Sequence, residues 1–156
     1  MKLTEFISKK AIVPVLKATD KKGAIQELVQ AARKAVTGER FVVAEIVDGI
    51  VAREKLGSTG IGAGVGVPHA QLEGIKNVIG AFGRCSPPIE FSAVDGAPVD
   101  LVFLILSPPS KREAYLKALQ KVMTALKRPN FVRFLKGAKT VREIEEIFRE
   151  VEEVAV

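Results

Sequence analysis

Val99-Asp-Leu-Val-Phe-Leu-Ile-Leu106 reads as a strand covered on both faces, because a strand with one wet face alternates apolar and polar residues. Its uninterrupted apolar part, Leu101 to Leu106, spans six residues, far short of the ~20 needed to cross a bilayer. A strand buried on both sides calls for helices on both sides, and the flanking sequence supplies them. Downstream, Ser110 with Glu113 forms a capping box for a helix bearing Leu116, Leu119, Val122, Met123 and Leu126. Asn130 caps a short helix that stops at Gly137, and Thr140 with Glu143 opens a last helix with Val141, Ile144, Phe148 and Val151 inward. Upstream, Asp20 caps a helix whose Ile25, Leu28, Val29, Ala32 and Val36 fall at helical spacing. A second helix carries Val43, Ile46, Val47, Ile50 and Val51 on one face and ends near Arg53 and Glu54. Val78 to Phe82 reads as another strand, and Ile12 to Leu16 as an edge element that tolerates Pro14. The expectation is one α/β sandwich over residues 1–156, with strand order and direction left open.

Composition narrows the function. Of 156 residues, 47% are apolar and 27% charged, which excludes wholesale disorder. Twenty-four basic residues against 18 acidic ones give a net charge of +6, a general preference for acidic partners. The cations are dispersed and mixed with glutamates, Trp is absent and Tyr occurs once, so no nucleic-acid face is expected. The lone Cys85 excludes an internal disulfide and fits a reducing compartment. With no signal-like apolar segment near the N-terminus, a cytoplasmic protein without membrane insertion is expected.

The chemistry sits in Arg53-Glu-Lys-Leu-Gly-Ser-Thr-Gly-Ile-Gly-Ala-Gly-Val-Gly-Val-Pro-His69. A Walker A loop fails, since Ala63 and Gly64 stand where its lysine and hydroxyl belong. A dinucleotide fingerprint fails because a helix precedes the glycines and Pro68 follows too soon. A kinase glycine loop would need catalytic motifs for which the chain is too short. Gly60, Gly62, Gly64 and Gly66 alternate with Ile61, Ala63, Val65 and Val67. A period of two puts the glycines on one face of an extended segment, open to close approach by a backbone, a helix or a ligand. Pro68 then keeps Val67 extended and fixes the entry into His69 at a strand end. Arg53, Ser58 and Thr59 precede it on the adjoining turn.

His69 is the only histidine. No partners at ligand spacing accompany it for a metal site, and no Gly-x-Ser-x-Gly elbow exists for a Ser-His-Asp triad. A single imidazole remains a nucleophile toward phosphorus, and one of ordinary pKa, ~6.5, is largely deprotonated near neutral pH. The phosphohistidine so formed needs a guanidinium and hydroxyl donors, which Arg53, Ser58 and Thr59 offer. No metal or cofactor is called for. A histidine merely satisfied in the core is the competing reading.

These residues resemble the signature of the fructose/mannitol-type enzyme IIA domain of the bacterial phosphotransferase system, with the nitrogen-regulatory IIA branch most alike. The resemblance extends through Ile-Glu-Phe-Ser-Ala-Val-Asp-Gly-Ala-Pro-Val-Asp-Leu-Val-Phe-Leu-Ile-Leu-Ser-Pro, Ile89 to Pro108, and covers essentially the whole chain. It implies a mixed sheet sandwiched between helices, with Arg53, Ser58 and Thr59 around a phosphorylated His69. It also implies a phosphoryl group arriving from the carrier protein HPr, or its nitrogen-branch paralogue, and leaving to a cysteine of a IIB domain. Two departures stand out. Gly66 replaces the usual Ala, and Tyr115 stands where many members carry a second histidine; a phenol donates a hydrogen bond but adds no positive charge. Cys85 lacks the loop of a IIB phosphocysteine and is read as packing.

Two uses of His69 follow. In one it is a phosphocarrier in sugar transport; in the other its phosphorylation switches the binding of regulatory target proteins. A domain that has lost transfer through Tyr115 is a third.

Overall fold

The computed structural model describes residues 1–36 and 41–154. A short helix α1 (Leu3–Phe6) leads into strand β1 (Ile7–Leu16), followed by helices α2 (Lys21–Lys34) and α3 (Val43–Glu54). Three short strands come next, β2 (Gly60–Gly62), β3 (Val65–Gly66) and β4 (His69–Gln71), then the long strands β5 (Ile79–Ile89) and β6 (Val99–Ser107). A 3-10 turn (Pro109–Lys111) opens the C-terminal helices α4 (Arg112–Leu126), α5 (Pro129–Gly137) and α6 (Val141–Val154).

The six strands form one sheet in the order β1-β5-β6-β3-β2, with β4 also on β6. It is mixed: β1 runs parallel to β5, β5 antiparallel to β6, and both β3 and β4 parallel to β6. The expected central strand is central, and the Pro14 strand lies at the edge, running longer than the sequence suggested. Alternation along β6 separates two apolar layers. Val102, Leu104 and Leu106 pack with α2 and α3, while Leu101, Phe103 and Ile105 pack with α4, α5 and α6. A mixed sheet between two helical layers is the result.

Local signals explain some helix boundaries and miss others. Asp20 accepts a hydrogen bond from the Gly23 amide at 2.8 Å, as a cap should. Thr140 Oγ1 accepts from the Glu143 amide at 3.1 Å, half of the expected box, while the hydroxyl itself points to the Glu143 carboxylate. Ser110 does not cap α4: it lies inside the 3-10 turn, and the cap position, Lys111, makes no side-chain bond. Asn130 does not cap α5 either. Pro129 starts that helix, where a missing N–H costs nothing, and Asn130 accepts from Arg133 instead.

The glycine stretch is not one extended ribbon. Ala63 and Gly64 both take positive φ, 56° and 79°, and fold it into a hairpin pairing Gly60 with Gly66. The close approach expected on the glycines is real at three of them, made by the chain itself: at Gly64 by the Asp100 carboxylate, 2.7 Å from where a Cβ would lie, and at Gly60 and Gly66 by less yielding groups. A Cβ on Gly60 would lie 2.7 Å from the Ala93 Cα, and one on Gly66 would lie 2.8 Å from the Phe91 ring. Backbone cannot yield as a flexible side chain does, so Gly60→Ala is expected to destabilise the fold by about 1–3 kcal/mol. Urea unfolding reads this; an unchanged midpoint would show that the 91–93 segment is free to retreat.

Candidate functional site

Strand pairing along one side of β6 changes hands at Val67 and Pro68. β3 covers Leu101 and Val102, and β4 covers Ile105 to Ser107. The carbonyl of Pro68 accepts the Ile105 amide at 3.0 Å. The Val67 carbonyl takes a different donor: His69 Nδ1 lies 2.7 Å from it. A carbonyl only accepts, so Nδ1 carries the proton, and the lone pair of the neutral ring is on Nε2. The ring is half-buried on the α4 side of the sheet.

Tyr115, on the first turns of α4, faces it with ring centroids 6.1 Å apart and planes tilted by 47°. The phenol is 7% exposed. Burial holds its pKa above the usual value, with Arg53 and Arg112 pulling back through their charge. It therefore remains an O–H donor at neutral pH. Arg53 sits in the last turn of α3, where a cation suits the helix dipole, and its Nη1 donates to the Gly57 carbonyl at 2.9 Å. One end of the sheet thus gathers His69, Tyr115 and the positive field of Arg53.

Ser58 and Thr59 are aimed elsewhere. Ser58 Oγ donates to the Phe91 carbonyl at 2.7 Å and accepts the Gly60 amide at 3.0 Å. Thr59, 5% exposed, sends its hydroxyl and its amide to the Glu54 carboxylate. Sequence reasoning overlooked the residue that ties these together. Lys21 Nζ, from the start of α2, lies 3.2 Å from Glu54 Oε1, 3.4 Å from Ser58 Oγ and 3.3 Å from the Phe91 carbonyl. It also sits 4.6 Å from the centroid of the Phe91 ring, a cation–π contact. Nothing local marks a lysine in a first helical turn, so no signal in the sequence pointed to it.

Cys85 is buried on the α2 side, and its thiol is pushed up to about 11, first by burial and then by the charges of Asp100 and Glu27. It stays protonated and unreactive at neutral pH. Among the described residues, no group of three or more His, Cys, Asp or Glu could hold a metal ion, and no helix is long and apolar enough to cross a membrane.

Residues 5–151 match the family described as phosphoenolpyruvate-dependent sugar phosphotransferase system, EIIA 2. A nitrogen regulatory protein of Bradyrhizobium diazoefficiens is 36% identical over 144 residues, 92% of each chain. The crystal structure of the nitrogen regulatory protein IIA-Ntr from Neisseria meningitidis superposes with a TM-score of 0.84 at 31% identity, covering 94% of this chain and 98% of that one. The Escherichia coli mannitol IIA, solved in complex with phosphorylated mannitol IIB, shares the fold, with a TM-score of 0.74 at 21% identity over 90% and 95% of the two chains.

Proposed function

This chain belongs to the EIIA 2 family of the phosphoenolpyruvate-dependent sugar phosphotransferase system, and on that footing we propose that His69 accepts a phosphoryl group from an HPr-type carrier. The observation that carries the reading is the 2.7 Å contact between His69 Nδ1 and the Val67 carbonyl, which leaves Nε2 as the nucleophile. The Nε2 lone pair forms a bond to the donor's phosphorus while the donor's P–N bond breaks and its electron pair returns to the donor imidazole. The proton stays on Nδ1, donated in its hydrogen bond to the Val67 carbonyl, so the acceptor ring need not shed it during transfer. Charge on the equatorial oxygens of the loose transition state falls to the protein to stabilise.

Arg53 supplies the positive charge, and the Tyr115 hydroxyl donates one hydrogen bond. Ser58 and Thr59 add hydroxyl donors by turning from their present acceptors. Neither acceptor is orphaned by the turn: Lys21 still reaches the Phe91 carbonyl, and the Thr59 amide and Lys21 still reach Glu54. Onward transfer to a IIB cysteine completes the carrier cycle. Phosphoenolpyruvate is a cytoplasmic metabolite, which assigns the reaction to the cytoplasm, and one such domain occupies residues 1–156.

A regulatory role is the second reading, favoured by the nitrogen regulatory name of the Bradyrhizobium relative. There the phosphate on His69 sets which target proteins bind. Comparing partners captured by His69→Asp and His69→Ala separates the two, since a switch responds to charge at that position.

The primary test is incubation with phosphoenolpyruvate, enzyme I and HPr, read by intact mass. A gain of one phosphoryl group, lost on mild acid treatment, is expected; an unchanged mass would sink the proposal.

A further inference from the structure

We infer that Gln71 holds the phosphoryl group on His69 through its side-chain amide, an inference that rests on the function proposed above. Gln71 Nε2 is buried and has no hydrogen-bond partner among the described residues. An amide N–H out of reach of water normally has a partner, and leaving it unpaired carries its whole desolvation penalty. Such a group therefore asks what it faces.

The register answers. β4 pairs in parallel with β6, His69 beside Ile105, Ala70 beside Leu106 and Gln71 beside Ser107. Ala70 and Leu106 belong to the core on the α2 side, while Ile105 belongs to the core on the α4 side. Alternation then places His69 and Gln71 together on the α4 side, roughly 6–7 Å apart along the strand. Tyr115 comes to the same side from above. Ser107, the neighbour across the ladder, gives its hydroxyl hydrogen to the Pro108 carbonyl, so that proton is committed.

Direction completes the argument. His69 Nδ1 is tied back to Val67, two residues upstream, while Gln71 lies two residues downstream on the same face. A phosphoryl group on Nε2 brings three anionic oxygens to a ring flanked by that unpaired amide. Hydrogen bonds to charged acceptors are roughly twice as strong as neutral ones. The amide is thus satisfied when the histidine is phosphorylated, which stabilises the loaded carrier relative to the empty one.

The test uses the full chain as parent protein, Gln71→Leu, Gln71→Glu, Gln71→Lys and His69→Ala. Each is phosphorylated in parallel by enzyme I with HPr and by phosphoramidate, a small-molecule donor that needs no docking. Acceptance and subsequent loss of the phosphoryl group are followed by intact mass, and the phosphohistidine by its ³¹P resonance. Gln71→Leu is expected to accept about tenfold more slowly, with a displaced resonance, and Gln71→Glu more slowly still, since it sets an anion against an anion. Gln71→Lys keeps N–H donors and should restore most of the rate. Should Gln71→Leu not fold, Gln71→Glu and Gln71→Lys carry the comparison. Parental rates and resonance in Gln71→Leu or Gln71→Glu would overturn the role of Gln71 while leaving His69 as acceptor. A parent protein labelled by neither donor would remove both.

Discussion

His69→Ala is expected to accept no phosphoryl group from phosphorylated HPr, a loss of at least about 10⁴-fold, set by the detection limit. Transfer needs a lone pair directed at phosphorus, and this is the only imidazole in the chain. Cys85 offers no bypass, because its thiol is buried and protonated. The variant should fold, since the ring is half-buried and, among the described residues, its hydrogen bond is to a main-chain carbonyl at a strand junction. Circular dichroism and thermal melting establish that before labelling is compared. Acid-labile phosphate persisting on folded His69→Ala would place the nucleophile elsewhere.

Arg53→Ala is expected to slow acceptance by about 10²–10³-fold, the range observed when one preorganised stabiliser of transition-state charge is removed. Arg53→Lys should recover only part of this, because an ammonium keeps the charge and loses the planar fork. Stability should change little: among the described residues the guanidinium's hydrogen bond is to the Gly57 carbonyl, at a surface helix end. A second readout follows from electrostatics. The positive charge of Arg53 lowers the Tyr115 pKa against the larger effect of burial. Removing it should let the phenol titrate at still higher pH, seen as tyrosinate absorbance appearing later in an alkaline titration. Arg53→Ala accepting at the parental rate, with the phenol unshifted, would dismiss the guanidinium from the site.

Much of the architecture was written in short-range pattern. The fully apolar run at Leu101–Leu106 announced a strand with helices on both faces, and β6 is that strand. Asp20 announced the start of α2 because its cap is a bond across three residues. Ser110 and Asn130 carry the same chemistry but sit next to prolines: Pro109 opens a 3-10 turn that takes in Ser110 ahead of α4, and Pro129 starts α5. The glycine stretch misled for another reason. Its period of two is compatible with a strand, and the reversal depends on Ala63 adopting a left-handed conformation that its residue type does not advertise.

At the site, His69 stood out through its neighbours in sequence. The contacts of Ser58 did not, because they are made to Phe91, 33 residues away, and to Lys21, 37 residues away, while Thr59 turns back to Glu54, five residues upstream, a partner that nothing in the motif marks. Gln71 was equally silent. A glutamine in a short strand looks like any polar residue until the register shows which side of the sheet it occupies.

The clamp on the imidazole has an evolutionary corollary. Its acceptor is a peptide oxygen, which every amino acid possesses, so no exchange of side chain at position 67 deletes it by chemistry alone. The tautomer of the histidine is inherited with the path of the chain. Lineages can therefore drift at that position and repack the surrounding wall while the nitrogen that carries the free lone pair keeps its identity.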